Sequence, residues 1–289
     1  MTLREKLQSG AFVITSEVGP PKGIETGDIL REVRLLGGRI DAVNVTDLQS
    51  SVMRLGSLAT SVILRQAGYE PVLQLTCRDR NRLALQSDLL SAAALGVENV
   101  LILTGDHPML GDHPDAKPVF DLDSVQLIRV ARTLESGSDM KGNPLQGRPP
   151  RFLLGAAVNP GADPLEPEIV KMEKKVEAGV DFFQTQAVFD MRTLEVFLEQ
   201  TKHISLPVMA GVVLLKSAGM GRYMNDHVAG ITVPDELIRR MEEASDKEAA
   251  CAAIASGLIR QMRTRCQGVH IMPLGWSGLI SRVLEESGI

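Results

Sequence analysis

The chain alternates between short apolar runs rich in β-branched residues and longer amphipathic stretches, and this alternation constrains its fold most. Such a pattern is typical of βα units that build a parallel sheet. The runs predict eight strands, at 11–18, 41–47, 70–77, 99–105, 152–159, 182–189, 207–215 and 269–274. Helices are predicted between them, near 25–37, 51–67, 81–95, 121–136, 165–178, 190–203, 234–265 (as two helices) and 276–287.

Eight repeats of one supersecondary unit favour closure into a single (β/α)₈ TIM barrel that spans residues 1–289. The chain is slightly longer than the roughly 250 residues of a typical barrel. Its aromatic content is only 3%, so the core must be aliphatic, as barrel interiors are. The alternative is an open doubly wound sheet. That fold needs a glycine-rich turn after its first strand, and none is present here.

Composition excludes several classes of protein. The formal charge of −5 argues against a nucleic-acid partner, which requires a clustered basic face. No apolar run reaches the roughly 18 residues of a membrane span, and the first ten residues have no apolar signal core. The three cysteines are far apart, which disfavours a disulfide framework or a metal cluster. We therefore expect a cytoplasmic protein.

Helix boundaries and long connections also have sequence signals. Asp121 and Asp123 precede one helix, and four glycines are predicted to end others: Gly37, Gly68, Gly96 and Gly179. The Gly/Pro-rich segment 136–150 is interpreted as a surface connector. The segment 215–233 follows the seventh strand at the functional face, and we interpret it as a lid or substrate loop.

Polar residues concentrate late in the predicted strands, whereas the first halves of the strands are mostly apolar. Barrel enzymes place their catalytic groups at the carboxyl ends of the strands, so this asymmetry predicts an active site there. The polar set is Glu17, Asn44, Thr46, Asp47, Gln74, Thr76, Thr104, Asp106, Asn159, Gln184, Gln186 and Lys216.

Two motifs in this set have a specific chemical interpretation. Glu17 stands late in the first strand, where a carboxyl group partly shielded from water can act as a general acid. A salt-bridged structural glutamate is the alternative. Thr104-Gly105-Asp106 ends the fourth strand, and the glycine lets a flat ligand approach the backbone closely. An ordinary turn explains this motif equally well.

Other polar clusters favour structural roles. Gly-Asp-His-Pro occurs twice within 105–114, but the first seven strands contain no histidine to complete a metal site, so His107 and His113 are interpreted as loop residues or ligand donors. Arg78, Arg80 and Arg82 could hold a phosphate or carboxylate, or could simply form a solvated helix start.

Taken together, these motifs resemble the methylenetetrahydrofolate reductase family over most of the chain and in the same order. The matching segments are Ser16-Glu17, Pro20-Pro21, Val43–Thr46, Leu75–Cys77, Leu103–Asp106, Lys175–Gly179, Gln184–Gln186 and Phe189-Asp190. The resemblance implies a flavoprotein of one-carbon metabolism and methionine biosynthesis. Such an enzyme reduces 5,10-methylenetetrahydrofolate to 5-methyltetrahydrofolate with a hydride from N5 of reduced flavin.

The resemblance also implies roles for individual residues. Glu17 would supply a proton toward N10 and so assist opening of the substrate to a 5-iminium cation, Asp106 would favour that cation electrostatically, and Gln186 would contact folate. The positions that match flavin contacts are Thr46, Gly105, Glu168, Lys171, Lys174 and Lys175. Asp106 is also expected to lie against the flavin. Four further positions are expected to contact the flavin although their residues differ from the family's histidine, arginine, tyrosine and tyrosine, namely Gln74, Thr104, Val158 and Phe120. The resemblance does not decide between FAD and FMN.

The segment after the seventh strand, 216–220, resembles the short reductases of anaerobic one-carbon pathways, some of which work beside an iron–sulfur partner subunit. The electron donor is therefore expected to be NAD(P)H or such a partner, in an oligomeric protein, with Lys216 among the substrate contacts. Two alternatives remain open. One is a Schiff-base lyase that uses Lys216 as its nucleophile, and the other is a folate-binding or electron-relay subunit that is active only with a partner.

Overall fold

The computed structural model describes residues 1–36 and 38–289. Eight parallel strands close into one barrel in chain order, because β1 pairs with β8 as well as with β2. The predicted (β/α)₈ TIM barrel is therefore confirmed. The strands are β1 Val13–Val18, β2 Ala42–Val45, β3 Pro71–Thr76, β4 Asn99–Leu103, β5 Leu153–Val158, β6 Phe182–Ala187, β7 Val208–Val213 and β8 Gly268–Met272.

Every predicted helix is present, and the range 234–265 contains two, as expected. The helices are α1 Leu3–Ser9, α2 Gly27–Leu35, α3 Ser57–Gln66, α4 Arg82–Ala94, α5 Ser124–Glu135, α6 Glu166–Ala178, α7 Met191–Gln200, α8 Ala218–His227, α9 Asp235–Glu243, α10 Lys247–Met262 and α11 Ile280–Ser287. Short 3₁₀ turns occur at Gln49–Ser51, Pro108–Leu110 and Ser277–Leu279.

The predicted helix signals are largely confirmed. The Asp123 carboxylate caps α5 by accepting from the backbone N–H of Gln126. Three of the predicted terminal glycines adopt the left-handed backbone conformation, with φ of 88° at Gly68, 78° at Gly96 and 101° at Gly179. The fourth, Gly37, lies outside the described residues. Segment 136–150 is a surface connector, as expected, with one isolated bridge between Ser138 and Pro144.

The segment 215–233, interpreted as a lid or substrate loop, is not a loop throughout, because it contains α8. Its role as a lid or substrate segment stays a prediction. The Ser217 hydroxyl caps this helix by accepting from the backbone N–H of Met220. Gly221 lies where α8 packs against α9, and a Cβ there would come within 3.0 Å of Ile238. Gly221 thus allows the two helices to pack closely.

The amino-terminal end of the barrel has an apolar floor that α1 closes. Leu3 and Leu7 of α1 are buried against inward-facing residues of seven strands: Val13, Ala42, Val72, Leu101, Leu153, Phe182 and Met209. This packing leaves the carboxyl end as the open end of the cylinder. Across the described residues, no helix combines the length and the apolarity needed to cross a bilayer.

Candidate functional site

An open cleft of about 370 Å³ lies at the carboxyl ends of β2 to β6. Barrel enzymes place their chemistry at this end. Nine of the residues predicted for the site line the cleft: Gln74, Thr104, Gly105, Asp106, Val158, Glu168, Lys171, Lys175 and Gln186. The structure thus brings together residues that are as far as 112 positions apart in the sequence, from Gln74 to Gln186.

Two cleft residues come from one face of α6, where positions four apart are neighbours. Lys171 is exposed, whereas Lys175 is only 3% exposed and donates from its ammonium to the backbone carbonyl of Ala157. Burial lowers the pKa of Lys175 to about 8, an effect that the nearby Glu168 carboxylate partly opposes. Glu168 itself accepts from the backbone N–H of Asn159. The ammonium groups of Lys171 and Lys175 form a cationic wall suited to an anionic ligand.

Glu17 does not line this cleft but lies at the same end of the barrel, on β1. Its side chain is buried, and a carboxylate oxygen is 3.5 Å from Nε2 of His270 on β8. His270 was not among the predicted site residues, although it stands in the eighth predicted strand, 269–274. Strand alternation was the available signal, since His270 lies two positions from both Gly268 and Met272 and so shares their face of β8.

A chain of buried polar side chains continues from this pair into the barrel interior. Nδ1 of His270 is 2.9 Å from the hydroxyl of Thr15, which accepts from the Gln184 amide at 3.4 Å. Gln184 also accepts from the Asn44 amide at 2.8 Å. Because β2 and β6 are not neighbours in the sheet, this last bond crosses the lumen. A polar layer replaces the bulky apolar residues that usually fill a barrel, and its groups satisfy one another.

Besides Glu17, four predicted site residues lie outside the cleft lining. The Thr46 side chain is 2% exposed, and its hydroxyl has no hydrogen-bond partner among the described residues. Lys174 is exposed, because its place on α6 turns it away from Lys171 and Lys175. Phe120 ends the β4–α5 connection with a left-handed φ of 40°, and its ring stacks on His107 at 6.5 Å.

Lys216, the fourth of these residues, follows β7 and reaches across to the loop after β8. Its ammonium donates to the backbone carbonyl of Leu274 and lies 5.5 Å from the ring centre of Trp276. Both neighbours interact favourably with an ammonium group. A lysine held in this way is poorly placed to attack a carbonyl carbon.

The arginines after β3 are all engaged by protein groups. Arg80 forms a bidentate pair with the buried Asp47, and Arg82 does so with Asp121. Arg78 is almost fully buried. The hypothesis that these arginines hold a ligand phosphate is therefore not supported. The solvated helix start holds for Arg82, which is exposed and begins α4, but not for the buried Arg78.

The histidines of the β4–α5 connection lie on a loop, as predicted. His113 pairs with Asp112, whose carboxylate also binds Lys22 and the backbone N–H of Met53. These hydrogen bonds, that of Lys22 first, lower the pKa of Asp112 far below its ordinary range. Within residues 1–36 and 38–289, no group of three or more His, Cys, Asp or Glu side chains could hold a metal ion.

Comparison with known structures supports the fold. A protein from Clostridium thermocellum, whose structure is described as binding two copies of 5-methyl-5,6,7,8-tetrahydrofolic acid, has a TM-score of 0.64 and 15% identity. The match covers 99% of both chains. An EDTA monooxygenase from Chelativorans has a TM-score of 0.60 at 10% identity, over 96% of this chain and 93% of that one. At these identities the likeness concerns the fold alone.

Comparison with curated sequences goes further. Methylenetetrahydrofolate reductase 2 of Schizosaccharomyces pombe is 26% identical over 99% of this chain and 47% of its own length. A probable methylenetetrahydrofolate reductase (NADPH) of Caenorhabditis elegans is 24% identical over 86% of this chain and 36% of its own. The chain thus spans half or less of the length of these relatives.

The family model described as methylenetetrahydrofolate reductase matches residues 2–288. This range contains all eight strands of the barrel and every residue of the cleft. The chain therefore belongs to the methylenetetrahydrofolate reductase family.

Proposed function

We propose that residues 1–289 form a single flavin- and folate-binding catalytic domain that reduces 5,10-methylenetetrahydrofolate to 5-methyltetrahydrofolate. The observation that carries this proposal is the family match over residues 2–288. The geometry supports it, because a buried carboxyl group, Glu17, and a cleft with a cationic wall occupy the same end of one barrel.

The residues of the cleft fit a flavin. Lys171 and Lys175 offer cations for a phosphate or ribityl chain, and Gln74 offers an amide that can hydrogen-bond to the polar edge of the ring. Gly105 packs tightly within the cleft wall, with a left-handed φ of 91°, and a Cβ there would come within 3.1 Å of the Arg78 side chain. Outside the cleft lining, the buried Thr46 hydroxyl has no hydrogen-bond partner among the described residues and is a further donor that a ligand could satisfy. FAD and FMN both have a phosphate, a ribityl chain and the flavin ring, so the cleft fits either cofactor.

A bound reduced flavin would supply the hydride for this reaction. The protein's own contribution begins with Glu17, whose carboxyl group would deliver a proton toward N10 of the substrate. Its position is fixed by His270, which is held in turn by the Thr15 hydroxyl, and Thr15 accepts from the Gln184 amide. A positioned general acid contributes a factor of about 10²–10⁴ in rate.

Two cleft residues would handle the folate ring. Asp106 and Gln186 line the cleft from the ends of β4 and β6, close to the lysines of α6. The Asp106 carboxylate would favour a developing cation electrostatically. The Gln186 amide can both donate to and accept from a pterin. Lys216, which follows β7 and is hydrogen-bonded to the loop after β8, would contact the substrate from the far side of the barrel mouth.

The electron donor and the assembly are also part of the proposal. Relatives are named for NADPH in Caenorhabditis elegans and for NADH in Oryza sativa, so a nicotinamide donor is one candidate. An iron–sulfur partner subunit within an oligomer is the other. Stopped-flow mixing of the oxidised protein with NADH or NADPH separates them, because only a direct donor bleaches the flavin.

The decisive experiment tests the purified chain itself. We expect a yellow protein whose cofactor is identified by mass and spectrum, and which oxidises 5-methyltetrahydrofolate with an artificial electron acceptor. A protein that binds folate and flavin but gives no turnover would be a relay subunit instead. Borohydride trapping of substrate on Lys216 would support the Schiff-base lyase and contradict the reductase.

A further inference from the structure

The side chain of Arg78 is buried at the functional end of the barrel, and its N–H groups are all hydrogen-bonded within the protein. It follows β3 directly, and its side chain is only 2% exposed. Asp79 accepts from Nε at 2.9 Å and from Nη2 at 2.8 Å. This pairing neutralises the buried charge and accounts for two of the five N–H groups of the guanidinium.

The other three N–H groups reach loops that follow neighbouring strands. Nη1 donates to the Ser51 hydroxyl at 3.0 Å and to the backbone carbonyl of Asp106 at 3.4 Å. Nη2 donates to the backbone carbonyl of Leu48 at 3.3 Å. Every donor of the guanidinium is thus used within the protein, so Arg78 has none left for a ligand.

The turn that Arg78 holds is conformationally unusual. Leu48, Ser50 and Ser51 have φ of 48°, 55° and 57°, a region that residues with a Cβ rarely adopt. Such a turn persists only where its surroundings determine it. Leu48, Gln49 and Ser50 all line the cleft, so this turn forms part of the wall.

Ser51 connects this turn to the loop after β4. Its hydroxyl lies 3.3 Å from the backbone carbonyls of both Asp106 and His107. Gly111 approaches so closely that a Cβ there would lie 1.9 Å from the Ser51 carbonyl oxygen. The backbone carbonyl of Arg78 also accepts from the N–H of Val119, where the same loop returns.

We infer that Arg78 is a positioning residue, which sets the shape of one wall of the cleft and the orientation of Asp106 for the bound flavin and folate. This inference rests on the proposed function. It assigns no contact with a ligand to Arg78, which acts through the Leu48–Ser51 turn and through the Asp106 backbone. Lysine cannot replace it, because one ammonium group cannot reach acceptors on three separate loops in fixed directions.

The test compares Arg78→Lys with Arg82→Lys, a matched control four residues further along. Arg82 is exposed and pairs with Asp121 outside the cleft lining. Flavin is titrated into the apoprotein, and the visible circular dichroism of the bound flavin and the thermal midpoint are recorded. We expect Arg78→Lys to raise the flavin Kd at least tenfold and to alter the dichroism. Arg82→Lys should leave the flavin Kd within twofold of the wild-type value.

Ser51→Ala provides a second variant that removes one acceptor of Arg78 but keeps the ion pair with Asp79. We expect it to raise the flavin Kd about threefold to tenfold in a folded protein. Unchanged Kd and dichroism in Arg78→Lys or in Ser51→Ala, with or without a lower thermal midpoint, would overturn the positioning role while leaving the proposed function intact. Failure of the wild-type apoprotein to bind FAD or FMN would overturn both.

Discussion

At the residue scale, Glu17 shows how a site residue depends on partners distant in sequence. Its carboxylate is buried beside His270, 253 positions later in the chain. We expect Glu17→Gln to retain flavin, because Glu17 lies outside the flavin cleft, and to lose about 10²-fold or more in folate turnover. Flavin absorbance and 5-methyltetrahydrofolate oxidation measure the two effects. Near-normal turnover would remove Glu17 from the mechanism.

The lowered pKa of Lys175 predicts that stability and flavin binding depend on pH. Burial lowers the pKa of its ammonium from 10.5 to about 8, whereas the unfolded chain keeps the ordinary value. Between these pH values the unfolded chain binds more protons, so this group makes stability rise with pH from about 8 to 10.5. A flavin phosphate would favour the charged form, so flavin binding should take up a proton above pH 8.

The flavin Kd should therefore rise above pH 8, by up to tenfold per pH unit. Titrations at pH 7, 8 and 9 measure this slope. In Lys175→Met the contribution of this group to the slope should vanish, whereas Lys202→Met, an exposed lysine paired with Glu199, should behave like wild type. A flavin Kd that does not change between pH 7 and pH 9 would show that Lys175 does not serve the phosphate.

At the element scale, α1 shows how a short helix stabilises the barrel from its closed end. Leu3 is fully buried against the apolar floor, so Leu3→Ala should lower the free energy of unfolding by about 2–5 kcal/mol. Leu35→Ala, at a position that is 56% exposed, should cost far less. Urea unfolding followed by circular dichroism measures both. If Leu3→Ala weakened flavin binding by as much free energy as it lowered stability, the apolar floor and the flavin cleft would not be independent.

The elements also show where periodicity succeeds as a predictor. All eight strands were predicted within a few residues of their limits, because a buried parallel strand is a continuous apolar run with turn residues at its ends. The helix α8 was not predicted. Gly219 and Gly221 lower helix propensity, and Gly221 is favourable only because of the close contact with Ile238 on α9.

At the scale of the whole molecule, ligand binding and folding are linked, because the cleft walls exist only in the closed barrel. Flavin at one hundred times its Kd should raise the free energy of unfolding by about 2.7 kcal/mol. Comparison of FAD, FMN and riboflavin at one equal concentration in urea unfolding would identify the cofactor, because the flavin with the lowest Kd then stabilises most. Riboflavin, which lacks the phosphate, should stabilise least. Equal stability with and without each flavin would contradict the proposed cofactor.

The sequence by itself determined the barrel and most of the cleft. Strand periodicity fixes which residues face inward, and parallel strands in one cylinder bring all their carboxyl ends to one rim, so Asp106 and Gln186 had to lie at the same end. Only the tertiary structure decided which side chains pair with one another. The contacts of Glu17 with His270, of Gln184 with Asn44 and of Arg78 with three loops join segments that no local pattern relates. Such pairs depend on barrel closure and side-chain direction, which spacing along the chain does not encode.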